Sequence, residues 1–133
     1  MPLARGRVIV APRAFISFEM EDKWARDFLV THAHDARNDI QFVDFSVQNA
    51  FDNSWKTNCK ERIGKTKGTI VMIGPTTYRS EAVLWEIAET TRQGHAMFGI
   101  QIHRELTHTV PKGLTSTVRW NFDAIVKSLG TWT

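Results

Sequence analysis

Glu86 is the residue in this chain best placed to do chemistry. It sits in Trp85-Glu86-Ile87, within the first two turns of a helix that opens near Ser80, just after a strand ending in Gly74-Pro75-Thr76-Thr77. Two other chain segments end in polar residues of the same kind: Ser17-Phe18-Glu19 after the first strand and Asp44-Phe45-Ser46 after the second. In an open α/β sheet, small molecules bind outside the carboxyl ends of the strands, where the strand order reverses. In a flavodoxin-like order that point lies between the first and third strands. Ser17, Phe18, Asp44, Ser46 and Glu86 are therefore expected to line one cleft, with Trp85 beside the carboxylate as a further candidate contact. The chemistry such a cleft supports is that of a single carboxylate acting on a small molecule.

Other chemistries find little support. Neither a GxGxxG nor a GxxxxGK[ST] run is present, so the phosphate cradles of dinucleotide oxidoreductases and P-loop kinases are missing. A zinc site needs at least three convergent ligands. His32 and His34, two residues apart, do not share a helix face, and His103 and His108 fall in a polar segment. No metal is expected. Of these, His103 follows the fourth strand and could approach the cleft rim, though a surface or capping role suits it better. The lone Cys59 excludes an intrachain disulfide and, at helical spacing with Trp55 and Ile63, reads as a small core residue.

The elements that must position Glu86 are legible from periodicity. Arg13–Phe18 is a short apolar strand, followed by a polar loop in which Asp22 is a candidate helix cap. Trp24, Phe28 and His32, flanked by Ala25 and Leu29, form a helical stripe to about Ala33. Residues 40–45 read as a second strand, and Ser54 as the cap of a helix facing inward through Trp55, Cys59 and Ile63. Thr69–Gly74 holds Ile70-Val71-Met72-Ile73 in succession. A run apolar on both faces suits a central parallel strand covered by helices. Ser80 or Thr77 then opens a third helix, with Val83, Leu84, Ile87, Ala88 and Thr91 inward and Gly94 as its stop. Residues 96–102 form a fourth strand, 115–120 an edge strand, and Asn121 caps a last helix facing inward through Phe122, Ile125, Val126 and Leu129.

Alternating strands and helices argue for one α/β domain over residues 1–133, with a parallel sheet of about five strands, helices on both faces and residues 1–12 as an N-terminal extension. The expected strand order is 2-1-3-4-5. The 133 residues are 42% hydrophobic, enough for a real core. With 17 Lys and Arg against 14 Asp and Glu, the charge excess is mild and forms no basic stripe, so no nucleic-acid partner is expected. No apolar run approaches the ~20 residues that span a bilayer, so no membrane partner is expected, and the chain reads as cytoplasmic.

Amphipathicity alone argues against Glu86. At ~100° per residue it lies roughly 140° from the centre of the inward stripe, which points it to solvent. A family resemblance argues the other way. Phe15-Ile16-Ser17-Phe18 resembles the first strand of TIR domains, and Ile70-Val71-Met72-Ile73-Gly74-Pro75 resembles their third. Val83-Leu84-Trp85-Glu86-Ile87, then Gly94 and Phe98-Gly99-Ile100, resembles the helix and strand around that family's catalytic glutamate. The subgroup with the nearest pattern includes the TIR proteins of bacterial Thoeris anti-phage systems. One position departs: many TIR enzymes carry Trp four residues before the glutamate, where this chain has Ala82.

The resemblance implies cleavage of the nicotinamide–ribose bond of NAD+, with NAD+ as substrate and no cofactor. Glu86 would hold ribose hydroxyls and the developing positive charge, Phe18 would flank the nicotinamide, and Asp44 and Ser46 would line the pocket. It also implies an ADP-ribose-type product that reaches a separate effector protein, and self-association on activation. Two other readings stand beside it: a non-catalytic TIR-like adaptor that self-associates, and a nucleoside deoxyribosyltransferase-like enzyme.

Overall fold

A computed structural model describes residues 13–35, 41–43 and 54–132. Strand β1 (Arg13–Ser17) runs through a 3-10 turn (Met20–Asp22) into helix α1 (Lys23–Asp35). Then follow β2 (Gln41–Val43), α2 (Trp55–Gly64), β3 (Gly68–Ile73) and a second 3-10 turn (Thr77–Arg79). Helix α3 (Glu81–Arg92), β4 (Ala96–Gln101), β5 (Thr117–Arg119) and α4 (Phe122–Gly130) complete the described chain. The sheet has the order β2-β1-β3-β4-β5, as expected, and each of its pairings is parallel. In register, Ser17 stands opposite Val71 and Ile73 opposite Gln101, so the carboxyl ends of β1, β3 and β4 open on one edge. Among the described residues no helix is long and apolar enough to cross a membrane.

The pleat of the strands divides the core in two. Ala14, Ile16 and Phe18 of the β1 segment, with Ile70 and Met72 of β3, pack under Ala25 and Leu29 of α1 and Ile125 and Leu129 of α4. Val71 and Ile73 turn the other way onto Val83 and Ile87 of α3. Phe15 meets Cys59 and Ile63 of α2 on that same face. Every residue of β3 is buried, which fits a central strand covered on both sides.

Two helix faces differ from expectation. Helix α1 buries Ala25, Leu29 and Ala33, whereas Trp24 and Phe28 stay 50% and 54% exposed. Small side chains let α1 lie close on the sheet, and the aromatics turn outward to meet His103, Trp120 and His32 at the surface. Helix α4 buries Ile125 and Leu129, as expected, while Phe122 is only half-buried and stacks on His32. Two expected caps are present: the Ser80 side chain accepts from the Val83 amide and that of Asn121 from the Ala124 amide. Ser54 makes no such side-chain cap. Asp22 ends the 3-10 turn, and its carboxylate faces Thr77 across the sheet edge.

Gly94 closes α3 with φ at +73°, and a Cβ there would meet nothing within 4 Å. Only backbone strain would oppose a side chain. Gly94→Ala is expected to lower stability by about 1 kcal/mol, read as a lower urea midpoint with an unchanged slope.

Candidate active site

Glu86 is 6% exposed, so the helical wheel points it the wrong way. The buried residues of α3 are Val83, Glu86, Ile87, Glu89 and Thr90, while Ala88 and Thr91 of the apolar stripe face solvent. The reason is a polar seam between α3 and the sheet. Thr90 Oγ1 donates to the Glu86 carbonyl at 2.8 Å and pairs with Thr69 Oγ1 of β3 at 2.8 Å. One turn earlier, Ser17 Oγ of β1 donates to Glu86 Oε1 at 2.5 Å. Glu86 and Thr90 meet partners on the strands, and buried Glu89 accepts from Arg92 and Gln93 at the end of its own helix, which is the condition for burying such groups without heavy cost.

The second carboxylate oxygen also has a donor. The Cys59 thiol of α2 lies 3.4 Å from Glu86 Oε2. Cys59 is fully buried, and its thiol is pushed well above the ordinary range, first by burial and then by the charge of Glu86. It is a protonated thiol and a donor, not a nucleophile. Its burial was legible from its spacing with Trp55 and Ile63. Its contact with a carboxylate 27 residues away leaves no mark in local sequence.

The other candidate residues take varied places. Ser17 and Glu86 come together, as just described. Phe18 is 6% exposed, packs in the α1–α4 layer, and also lines a groove of about 470 Å³ with Glu19, Met20, Glu21, Thr76, Arg79 and Ala82 among its other walls. Ala82, the position at which this chain departs from the tryptophan of many TIR enzymes, forms part of the groove wall. Trp85 is half-buried and packs edge-on against Trp55, ring centroids 5.3 Å apart, in the cluster around Phe15 and Cys59. Asp44 and Ser46 lie outside the described residues.

A second polar cluster, not anticipated from sequence, borders the same sheet edge. Glu19, Glu21 and Asp22 bring carboxylate oxygens within 4.8 Å of one another. Thr76 Oγ1 donates to Glu19 at 2.7 Å and also to Glu21. Asp22 is 3% exposed, against Thr77 Oγ1 at 3.5 Å, and the Gly74 amide donates to that same hydroxyl at 2.8 Å. Gly74 is required here: a Cβ would stand 2.3 Å from Asp22 Oδ2. Burial, then the charges of Glu21 and Glu19, push the Asp22 carboxyl up to about 6. Just beyond the end of β4, His103 Nδ1 lies 2.7 Å from His108 Nε2. Gln101 grips the His108 backbone at both its N–H and its carbonyl, tying the segment after β4 to the sheet.

The arrangement can do one kind of chemistry well. A nearly buried carboxylate with both oxygens oriented is suited to stabilising positive charge that develops on a bound molecule.

Comparison with known proteins bears on the family and the fold. The family model described as Thoeris protein ThsB, TIR-like domain, matches residues 15–107. Among solved structures, the TIR domain of the Toll-related receptor TRR-2 from Hydra magnipapillata superposes with a TM-score of 0.58 at 18% identity, covering 89% of this chain and 91% of that one. A prokaryotic SEFIR domain superposes with a TM-score of 0.50 at 14% identity, covering 91% and 89%. At such identities the two structures speak for the fold alone. No curated protein matches the sequence.

Proposed function

The chain belongs to the TIR-like domain family of the Thoeris protein ThsB, and on that premise we propose that it cleaves the nicotinamide–ribose bond of NAD+ to make an ADP-ribose-type signal for a separate effector protein. The observation that carries this reading is the burial of Glu86 against Ser17 and Cys59, opposite to what the amphipathic pattern of its helix dictates. A surface carboxylate would need no such arrangement.

The reaction asks little of the protein in acid catalysis. Nicotinamide is bound to ribose as a cation and departs neutral, so no proton has to reach the leaving group. The demand is to orient the ribose and to stabilise oxocarbenium-like charge at its anomeric carbon. In this reading Glu86 supplies the negative charge and accepts from the ribose hydroxyls. Ser17 holds Oε1, one of the two carboxylate oxygens. Phe18, with Met20 and Ala82, would offer apolar contacts to a flat ring in a groove whose other walls carry Glu19, Glu21 and Arg79. Asp44 and Ser46 remain proposed pocket residues from the segment after β2.

The exposed Trp24 and Phe28 favour a second role for the same domain, self-association, which would accompany catalysis or, in an adaptor, replace it.

The deciding experiment is chromatography and mass analysis of NAD+ incubated with concentrated or infection-activated protein. Release of nicotinamide with a stoichiometric ADP-ribose-type product is expected. Intact NAD+ under both conditions would leave the self-associating adaptor as the better reading.

A further inference from the structure

We infer that Cys59 is a positioning residue for Glu86: together with Ser17 it holds the carboxylate at both oxygens and fixes the plane in which that group meets substrate. This rests on the proposed role of Glu86.

A glutamate side chain has three rotatable bonds, and its terminal torsion is broad. One hydrogen bond, from Ser17 Oγ to Oε1, fixes one oxygen but does not by itself define the plane of the carboxylate. A second donor removes the remaining freedom only if it comes from a different direction. Ser17 stands on β1 and Cys59 on α2, so the two donors approach Glu86 from the sheet and from the neighbouring helix. Neither anchor is on α3 itself, and the carboxylate orientation therefore depends on how three elements pack.

The thiol suits this task. It is fully buried beneath Trp55, Trp85 and Ile63, so water does not compete for it. Burial and the adjacent carboxylate keep its proton in place, so it donates throughout the physiological range. A merely space-filling residue at this position would sit equally well as alanine or valine, and would leave Oε2 without this partner.

Two measurements separate positioning from packing. Cys59→Ala removes the donor at small cost in volume, and Cys59→Ser keeps a donor. For NAD+ cleavage, Cys59→Ala is expected to lower kcat about 5- to 10-fold with KM little changed, and Cys59→Ser to recover most of the loss. The second readout needs no turnover. Cys59 is the chain's single cysteine, so the infrared S–H stretch reports on it alone. Glu86→Gln replaces the charged acceptor, and the band is expected to move toward that of a free thiol.

Wild-type kcat in a folded Cys59→Ala variant overturns the inference while leaving the proposed reaction standing. An S–H band unmoved by Glu86→Gln overturns it also, and this arm decides the matter if Cys59→Ala does not fold. Absence of cleavage by the wild-type chain overturns the proposed reaction and the positioning role with it.

Discussion

Glu86→Gln is expected to slow NAD+ cleavage by about 10²–10⁴, or roughly 3–5 kcal/mol of barrier, in a protein that remains folded. The amide has the shape of the carboxylate but not its charge, so the stabilisation of a cationic ribosyl centre is what is lost. Sequence patterning assigned this side chain to solvent, and substitutions at ordinary surface sites change stability by no more than about 0.5 kcal/mol. Its burial to 6% exposure changes the balance of forces, though less the outcome. Removing a charge from a nearly dry site relieves desolvation, and replacing charged hydrogen bonds to Ser17 and Cys59 with neutral ones weakens them. These oppose each other, and the net is expected to stay within about 1 kcal/mol. Thermal unfolding and product formation measured on both proteins under activating conditions check the two halves separately. Equal turnover by folded Glu86→Gln removes this residue from the mechanism.

Asp22→Asn is expected to stabilise the protein at neutral pH and to flatten its stability between pH 4 and 6. The Asp22 carboxyl is raised from the ordinary 3.8 to about 6, by burial first and by Glu21 and Glu19 next, with Thr77 and His103 opposing. The folded chain therefore holds this proton more tightly than the unfolded chain does. As pH rises from about 4, the unfolded state releases the proton first, and folding becomes progressively less favourable until the folded state has released it too, near pH 6. Above that the penalty is constant. A shift from 3.8 to about 6 corresponds to roughly 3 kcal/mol at most. An asparagine carries no charge at any of these pH values and avoids that cost, less whatever its amide loses by imperfect pairing. The expected gain at pH 7 is about 1–3 kcal/mol, vanishing near pH 4. Urea unfolding of both proteins across this range checks it; a gain that persists undiminished at pH 4 would show that the cause is not this titration.

The architecture was legible in the amino-acid sequence because its signals are local. Ile70 to Ile73 form an apolar run too short and too β-branched to be anything but a buried strand, and the structure makes it the centre of the sheet. Gly94 stops α3, and Ser80 and Asn121 cap their helices, through contacts that span three residues or fewer. Alternation of strand and helix then leaves little choice but parallel, right-handed crossovers. The position of Glu86 in the chain, and its likeness to a family's catalytic glutamate, were likewise available without coordinates.

Which way helices face was decided by tertiary structure. In α3 the apolar stripe favoured Val83, Leu84, Ile87, Ala88 and Thr91, but the sheet presents hydroxyls at Ser17 and Thr69, which pair with Glu86 and Thr90. Satisfied polar pairs outweigh the modest gain from burying Ala88, and the helix turns accordingly. In α1, the small residues Ala25 and Ala33 permit a close approach that Trp24 and Phe28 would prevent. Ser17 and Cys59, which meet Glu86, lie 69 and 27 residues before it, and Thr77, which meets Asp22, lies 55 residues beyond. Periodicity reports the average chemistry of one helix face, whereas the burial of a single carboxylate depends on the particular atoms opposite it, which only the folded sheet brings there.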